Sequence, residues 1–386
     1  MENVGSGSLI EAATALKPRI VATRDQVEKD RRIPGQLVKE LQDAGMFDLW
    51  LPRSFGGPEL APTEFARVIE VLAQADGSVA WCASIAAALA RFSRFLDEAV
   101  ARRIFLEDKA IVAGALAPTG RAVAVSDGYR VTGRWSFGSG IMHSSWTVGG
   151  AIVFEGDAVR RLADGSPDYR VLFFPTTSTE IIDTWDVGGL RGTGSHDYRV
   201  IDLFVPTEHS TAGITPILPG PLYALSMHTI YPVPIAAVPL GIARAALDAF
   251  RDLAPTKTPS ISSTLLRDKP TVQACVGRAE AALRAARAFL FEVCDEIWAV
   301  ALGGSVPTLQ QRALARLACA QVAGAAKEVV QMIYDAASGS SVYERCPLQR
   351  LFRDVHTATQ HFQVHSANFE SGGRVMLGLD PGTLHL

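Results

Sequence analysis

Ala110-Ile111-Val112-Ala113-Gly114-Ala115-Leu116-Ala117 is where the chain changes its hydrophobic period. Before it, apolar residues recur at helical spacing over 9–31, 36–45, 63–74, 78–95 and 98–105. From residue 110 the pattern shortens and alternates. Segments 110–117, 129–137, 146–154, 169–175 and 198–205 read as strands set apart by Gly, Asp, Ser and Pro. After Pro219-Gly220-Pro221 the helical period returns in long Ala-rich stretches over 233–253, 270–301, 308–337 and 348–370. Helices, then strands, then helices predict an α+β chain with segregated layers, not a wound α/β sheet. The expected domains are an N-terminal α-helical domain (1–109), a central antiparallel β-barrel or sandwich (110–215) and a C-terminal four-helix bundle (222–386). The last four helices carry more apolar face than one bundle buries, so a homo-oligomer is expected.

Composition excludes several classes of function. The 386 residues are 48% hydrophobic and 20% charged, a globular balance. A net charge of −3, with Lys and Arg scattered, offers no basic stripe for nucleic acid. No uncharged apolar run reaches the ~18 residues that span a bilayer, and the first residues lack a secretory signal. The expectation is a cytoplasmic protein without a membrane partner. Its five cysteines are widely spaced, with no CxxC pair and no zinc spacing, so no metal is expected.

Three segments carry candidate chemistry. Arg191-Gly192-Thr193-Gly194-Ser195-His196-Asp197 lacks the third glycine of a dinucleotide fingerprint and runs into a strand, so it is no Rossmann loop. It reads either as a tight turn or as a turn whose amides face a ligand. Trp135-Ser136-Phe137-Gly138-Ser139-Gly140 ends a strand, where glycines admit a flat ligand and Ser139 can form a hydrogen bond. No serine sits in a GxSxG elbow. His143 follows that turn and is either a satisfied turn residue or part of the same site. The third segment is Leu348-Gln349-Arg350-Leu351-Phe352-Arg353-Asp354-Val355-His356-Thr357-Ala358-Thr359-Gln360-His361-Phe362. Read as one amphipathic helix, it puts His361 and His365 on one face at i, i+4. An imidazole there suits proton chemistry near neutrality, or is a structural histidine.

These motifs, in this order over nearly the whole chain, resemble the acyl-CoA dehydrogenase superfamily. Within it they are most similar to the oxygenase components of two-component flavin monooxygenases that hydroxylate secosteroids, p-hydroxyphenylacetate or indoles. The resemblance rests on the opening helix, on Trp50-Leu51-Pro52 with Phe55-Gly56-Gly57, and on Gly77-Ser78-Val79-Ala80-Trp81. It rests also on Gly133-Arg134-Trp135-Ser136-Phe137-Gly138-Ser139-Gly140 with His143 and Trp146, and on Gly188-Gly189-Leu190-Arg191-Gly192-Thr193-Gly194-Ser195. Many dehydrogenases of the superfamily carry a catalytic glutamate after an Arg-Asp pair. Aligned on Arg353-Asp354, that place falls at Phe362, which accepts no proton. The monooxygenases instead carry a histidine one residue earlier, matching His361.

What the resemblance implies is specific. A separate NAD(P)H:flavin reductase supplies reduced FMN or FAD, and O2 reacts with it to give a C4a-(hydro)peroxyflavin that hydroxylates an aromatic small molecule. Ser139 then contacts flavin N5, while His361, with His143 behind it, handles the proton near the oxygen or the substrate hydroxyl. Trp135 and Phe137 flank the isoalloxazine, Ala117 and Thr119 lie near its pyrimidine edge, and Arg191 and Thr193 are further flavin contacts. A neighbouring subunit of a homotetramer completes the flavin site, with Ser338, Gly339 and Ser340 as the candidate segment. Some relatives have Cys-Asp where this chain has Ile141-Met142, so a more apolar substrate side is expected, among Trp81, Phe92, Met142, Tyr231 and Phe362. The alternatives are an acyl-CoA dehydrogenase-type flavin oxidoreductase and a ligand-binding or scaffold homologue without catalysis.

Overall fold

A computed structural model describes residues 6–211, 220–260 and 262–383. The expected end of the β domain, residue 215, lies outside that description, whereas the expected start of the bundle, residue 222, lies inside it. The leading helices are α1 (Ser6–Asp30), α2 (Gly35–Asp43), α3 (Pro62–Ala75), α4 (Gly77–Leu89) and α5 (Glu98–Arg102). Their starts follow local chemistry. Pro62 opens α3, where a missing N–H costs nothing, and the Glu64 carboxylate accepts from the Ala61 N–H at 3.1 Å. Asp76 caps α4 by accepting from Val79 N at 3.0 Å. Helix α4 carries no charged residue and is buried on nearly every side, which places Trp81 in the interior.

The sheet comprises β1 (Val112–Val125), β2 (Gly128–Gly138), β3 (Trp146–Glu155), β4 (Ala158–Val159), β5 (Tyr169–Pro175), β6 (Glu180–Ile182) and β7 (His196–Pro206). Its order is β4-β3-β1-β2-β7-β6, with β5 also paired to β3. Every pair is antiparallel except β1–β3, which runs parallel, so the sheet is mixed where a purely antiparallel one was expected. Side-chain alternation divides the strands between two cores. Trp146, Val148, Val171 and Phe173 join the helical core, whereas Ala151, Val153, Leu172 and Phe174 face a smaller core around Trp135.

The chain returns to helix in α6 (Pro221–Ala224), α7 (Met227–Ile230), α8 (Pro232–Leu253), α9 (Pro270–Leu302), α10 (Leu309–Ala336), α11 (Pro347–Ala358) and α12 (Asn368–Met376). Helix α8 packs on α3, α4, α10 and α11, so helices from both ends of the chain share one hydrophobic core. Gly241 permits that approach, since a Cβ there would stand 2.4 Å from the Glu70 carbonyl oxygen. Met227–Leu253 is long and apolar enough to cross a membrane by composition, yet 89% of its most apolar window is buried in this packing.

The stretch 348–370 is not one helix. Helix α11 stops at Ala358, where the Thr359 hydroxyl donates back to Val355 O at 2.8 Å and competes for the carbonyls that would continue it. His361 lies in the break with extended backbone (φ −64°, ψ 131°), followed by a short 3-10 turn at Phe362–Val364. Its position comes from this break, not from a helical face shared with His365.

Candidate active site

Two turns meet at the end of the sheet. At the close of β2, Phe137 adopts the left-handed region (φ +66°), and so does Gly140 (φ +79°). For a bulky aromatic residue this is a strained conformation. Phe137 is nevertheless 69% exposed, with its ring edge-on to Trp185 at 6.2 Å. The second turn, 188–195, has Leu190 (φ +50°) and Gly194 (φ +51°) in the same region. Gly140 N donates to Thr193 O at 2.9 Å and joins the two turns.

The second turn is clamped from behind. The Asp354 carboxylate accepts from Leu190 N at 2.6 Å, and Arg353 donates to Gly188 O and, at 2.8 Å, to Glu28. Gly189 and Gly192 are fixed by close approach, because a Cβ would stand 2.2 Å from Arg353 O and 2.0 Å from Val27 Cγ1. Burial, with Asp76 and Glu28 nearby, raises the Asp354 pKa to about 7. A cavity of about 110 Å³ beside this clamp is lined by Asp25, Asp76, Arg350 and Asp354, not by Ser139, Trp81 or His361. The Arg-Asp pair used to align the C-terminal segment is thus the support of the glycine-rich turn.

Between the turns runs a chain of buried hydroxyls. Trp81 Nε1 donates to Ser139 Oγ at 3.0 Å, and Ser139 Oγ lies 2.7 Å from Ser195 Oγ. Ser195 Oγ lies 2.7 Å from Thr193 Oγ1, which donates to Leu190 O at 2.9 Å. The Trp81 ring also meets the His361 ring, with centroids 5.7 Å apart at 67°. One indole therefore connects the serine and the histidine singled out by sequence.

His361 is defined on both nitrogens. Its Nδ1 accepts from Gln363 N at 3.3 Å, so the neutral ring carries its proton on Nε2. Burial, together with the Arg316 guanidinium, pushes its pKa down to about 4. At pH 7 it is a neutral N–H donor. The Phe362 ring sits 4.9 Å from it and is exposed. His143 is also neutral, its pKa pushed to about 4 by burial, but its Nε2 is buried without a partner and it packs beneath Gly140.

Other expected residues fall elsewhere. Trp135 is 1% exposed, stacks on Tyr198 (5.4 Å, 18°) and donates from Nε1 to Gly150 O at 2.8 Å. A Cβ on Gly120, Gly133 or Gly149 would come within 2.5–2.6 Å of its indole, so the glycines form a slot for it. The register shift between Trp135 and Gly138, with the left-handed Phe137, parts two side chains that regular alternation would put on one face. Trp135 is a core residue and not a ring-flanking one. Phe92 and Tyr231 are corrected likewise: they pack on Phe95, Phe173 and Trp50, and Tyr231 Oη donates to Ala88 O. Met142 is exposed beside Gly194, and Arg191 is tied to Val187 O and Asp186. Ala117 and Thr119 are exposed at the β1 irregularity, with the Thr119 hydroxyl donating to Arg134 O. Ser338–Ser340 forms a surface turn after α10, with Ser338 and Gly339 exposed. Sequence reasoning missed Trp185 and Ser195. Trp185 follows β6, the second-last strand, at no recognisable spacing, and Ser195 was legible only as a turn residue.

An exposed Phe137 edge-on to a half-buried Trp185, a buried serine, a neutral imidazole and no carboxylate at position 362 fit a flat-cofactor site without an α-proton base at that position. Residues 11–105 match the family described as Acyl-CoA dehydrogenase, N-terminal domain, and residues 233–366 match Acyl-CoA dehydrogenase, C-terminal domain. Indole-3-acetate monooxygenase of Pseudomonas putida is 30% identical over 97% of this chain and 96% of its own. The flavin-dependent monooxygenase oxygenase subunit HsaA of Mycobacterium tuberculosis is 30% identical over 96% of this chain and 94% of its own. The structure of XiaF from Streptomyces in complex with FADH2 and glycerol superposes with a TM-score of 0.90 at 26% identity, covering 99% and 98% of the two chains. The chain belongs to the flavin-dependent monooxygenases of the acyl-CoA dehydrogenase superfamily, enzymes that use reduced flavin and O2.

Proposed function

We propose that this oxygenase component hydroxylates an aromatic small molecule, phenolic, indolic or polycyclic, with reduced flavin delivered by a separate NAD(P)H-dependent reductase. The observation that carries the site assignment is Trp81, whose N–H donates to Ser139 and whose ring packs T-shaped against His361. The relatives named for indole-3-acetate and p-hydroxyphenylacetate support the aromatic class.

The reduced isoalloxazine, when bound, supplies the two electrons that activate O2. Exposed Phe137 and half-buried Trp185 would offer apolar surface to its rings, and Ser139 would face N5. Ala117 and Thr119 stand toward the pyrimidine edge, and the Thr193 turn toward the ring system. The neutral His361 holds a proton at Nε2 and donates a hydrogen bond to oxygen or to the substrate hydroxyl. Trp81, Met142 and Phe362 line the substrate side and keep water from it. His143 supports the Gly140 turn from below and takes no proton there. The surface turn Ser338–Ser340 is offered to a neighbouring copy in a homo-oligomer.

A dehydrogenase of acyl thioesters needs a carboxylate base. Phe362 supplies none, and Asp354 is buried and bound to Leu190 N. The test is to supply reductase, NAD(P)H and a phenol and indole panel, then account for O2 as product and peroxide. Hydroxylated product in proportion to O2 supports the function; peroxide alone with every aromatic opposes it.

A further inference from the structure

The buried hydroxyl chain has a direction. Its ends are fixed, because the Trp81 indole can only donate to Ser139 Oγ and the Leu190 carbonyl can only accept from Thr193 Oγ1. With the Thr193 proton on Leu190 O, Thr193 Oγ1 accepts from Ser195. Ser195 Oγ then accepts from Ser139. All four bonds form only in this order, and the single proton of Ser139 points at Ser195. What Ser139 has left is a lone pair. Turning the Ser139 proton outward gives up one bond of the chain, Ser139–Ser195 if the other hydroxyls stay or Thr193–Leu190 if they all reverse, and leaves three internal bonds instead of four.

Oxidised and reduced flavin differ in the same property. N5 of the oxidised ring is a lone-pair acceptor, and N5 of the reduced ring is an N–H donor. We propose that Trp81, Ser195 and Thr193 are positioning residues that hold Ser139 as a hydrogen-bond acceptor, so that this site selects reduced over oxidised flavin before any chemistry. The proposal rests on the reading that Ser139 faces N5. The chain is buried, so water does not reorient it: Ser139, Ser195 and Thr193 are each less than a tenth exposed. Its far end is anchored by the Asp354–Leu190 bond, which holds the accepting carbonyl in place.

One hydrogen bond separates the two directions, which corresponds to about fivefold in relative affinity. The experiment measures dissociation constants of oxidised flavin and, anaerobically, of reduced flavin, with the midpoint potential of the bound flavin as second readout. Ser195→Ala and Thr193→Val each release the Ser139 proton outward. In both, the preference for reduced flavin is expected to fall by about fivefold, and the potential of the bound flavin to drop by about 20 mV. Thr193→Ser keeps the hydroxyl and retains the wild-type ratio. Ser195→Ala has no further effect when combined with Ser139→Ala, and thermal midpoints identify any variant that fails to fold. If Ser139→Ala changes the ratio while Ser195→Ala and Thr193→Val leave it at the wild-type value, the directional chain is overturned and the Ser139 contact stands. If Ser139→Ala changes neither affinity, the Ser139–N5 reading fails and takes the proposal with it.

Discussion

His361 has two separable jobs, and two substitutions divide them. Its Nδ1 accepts from Gln363 N at 3.3 Å and caps the 3-10 turn, which leaves the Nε2–H of the ring beside Trp81 as its remaining donor. His361→Asn places an amide oxygen near the Nδ1 position, so it keeps the cap and loses the outward donor. His361→Gln reaches the Nε2 position with an amide N–H, so it keeps a donor and loses the cap. The lost cap costs about 1 kcal/mol, read as denaturant midpoint. The lost donor is expected to lower the hydroxylation rate on the order of 10²-fold and divert O2 to peroxide. The Asn variant should therefore be stable and uncoupled, and the Gln variant less stable and better coupled. Because the ring is neutral above pH about 4, coupling in the wild type should show no inflection from His361 between pH 6 and 9. An Asn variant as well coupled as wild type, or an inflection near 6.5 that vanishes with it, refutes this reasoning.

Further outcomes follow from the packing and the buried charges. Asp354 has a folded pKa of about 7 against an ordinary 3.8, so the folded state binds the extra proton and stability falls as pH rises between those values. Asp354→Asn should gain about 3 kcal/mol on wild type between pH 5 and pH 8, measured by denaturation at both; no relative gain would contradict the burial argument. For His143 the sign is opposite: its folded pKa of about 4 lies below the ordinary 6.5, so its contribution is complete above 6.5 and lost as pH falls. His143→Phe should flatten that acid loss by about 3 kcal/mol, with peroxide release unchanged. Gly189→Ala should cost about 2 kcal/mol or more, since its Cβ meets the backbone oxygen of Arg353 rather than a movable side chain. Trp135→Phe should lower the melting temperature and leave flavin affinity intact, whereas Phe137→Ala should do the reverse; the opposite result would restore Trp135 to the site.

The residues themselves explain which features sequence conveyed. Hydrophobic period is a local property, so the helix–strand–helix order was readable, and so was the turn at Ser139. Features set by distant partners were not. The parallel β1–β3 pairing depends on register across more than thirty residues of chain. Trp135 and Phe137 share a face in an ideal strand and part only because of an irregularity and a left-handed residue. His361 looked helical because nothing in apolar spacing reports the Thr359 hydroxyl turning back on Val355. Phe92 and Tyr231 carry the composition of a binding site and the packing of a core. Ser195 became important only once Ser139 and Thr193 were seen on either side of it.

The most direct measurement is isotopic. The protein is loaded anaerobically with reduced flavin, mixed with 18O2 and an aromatic substrate, and the product is weighed by mass spectrometry. The expected results are a protein that retains little oxidised flavin on purification and a product gaining one 18O atom per turnover, with less label and more peroxide in His361→Asn. A firmly held oxidised flavin that is bleached by an acyl-CoA thioester, with no label entering any aromatic product, would contradict it.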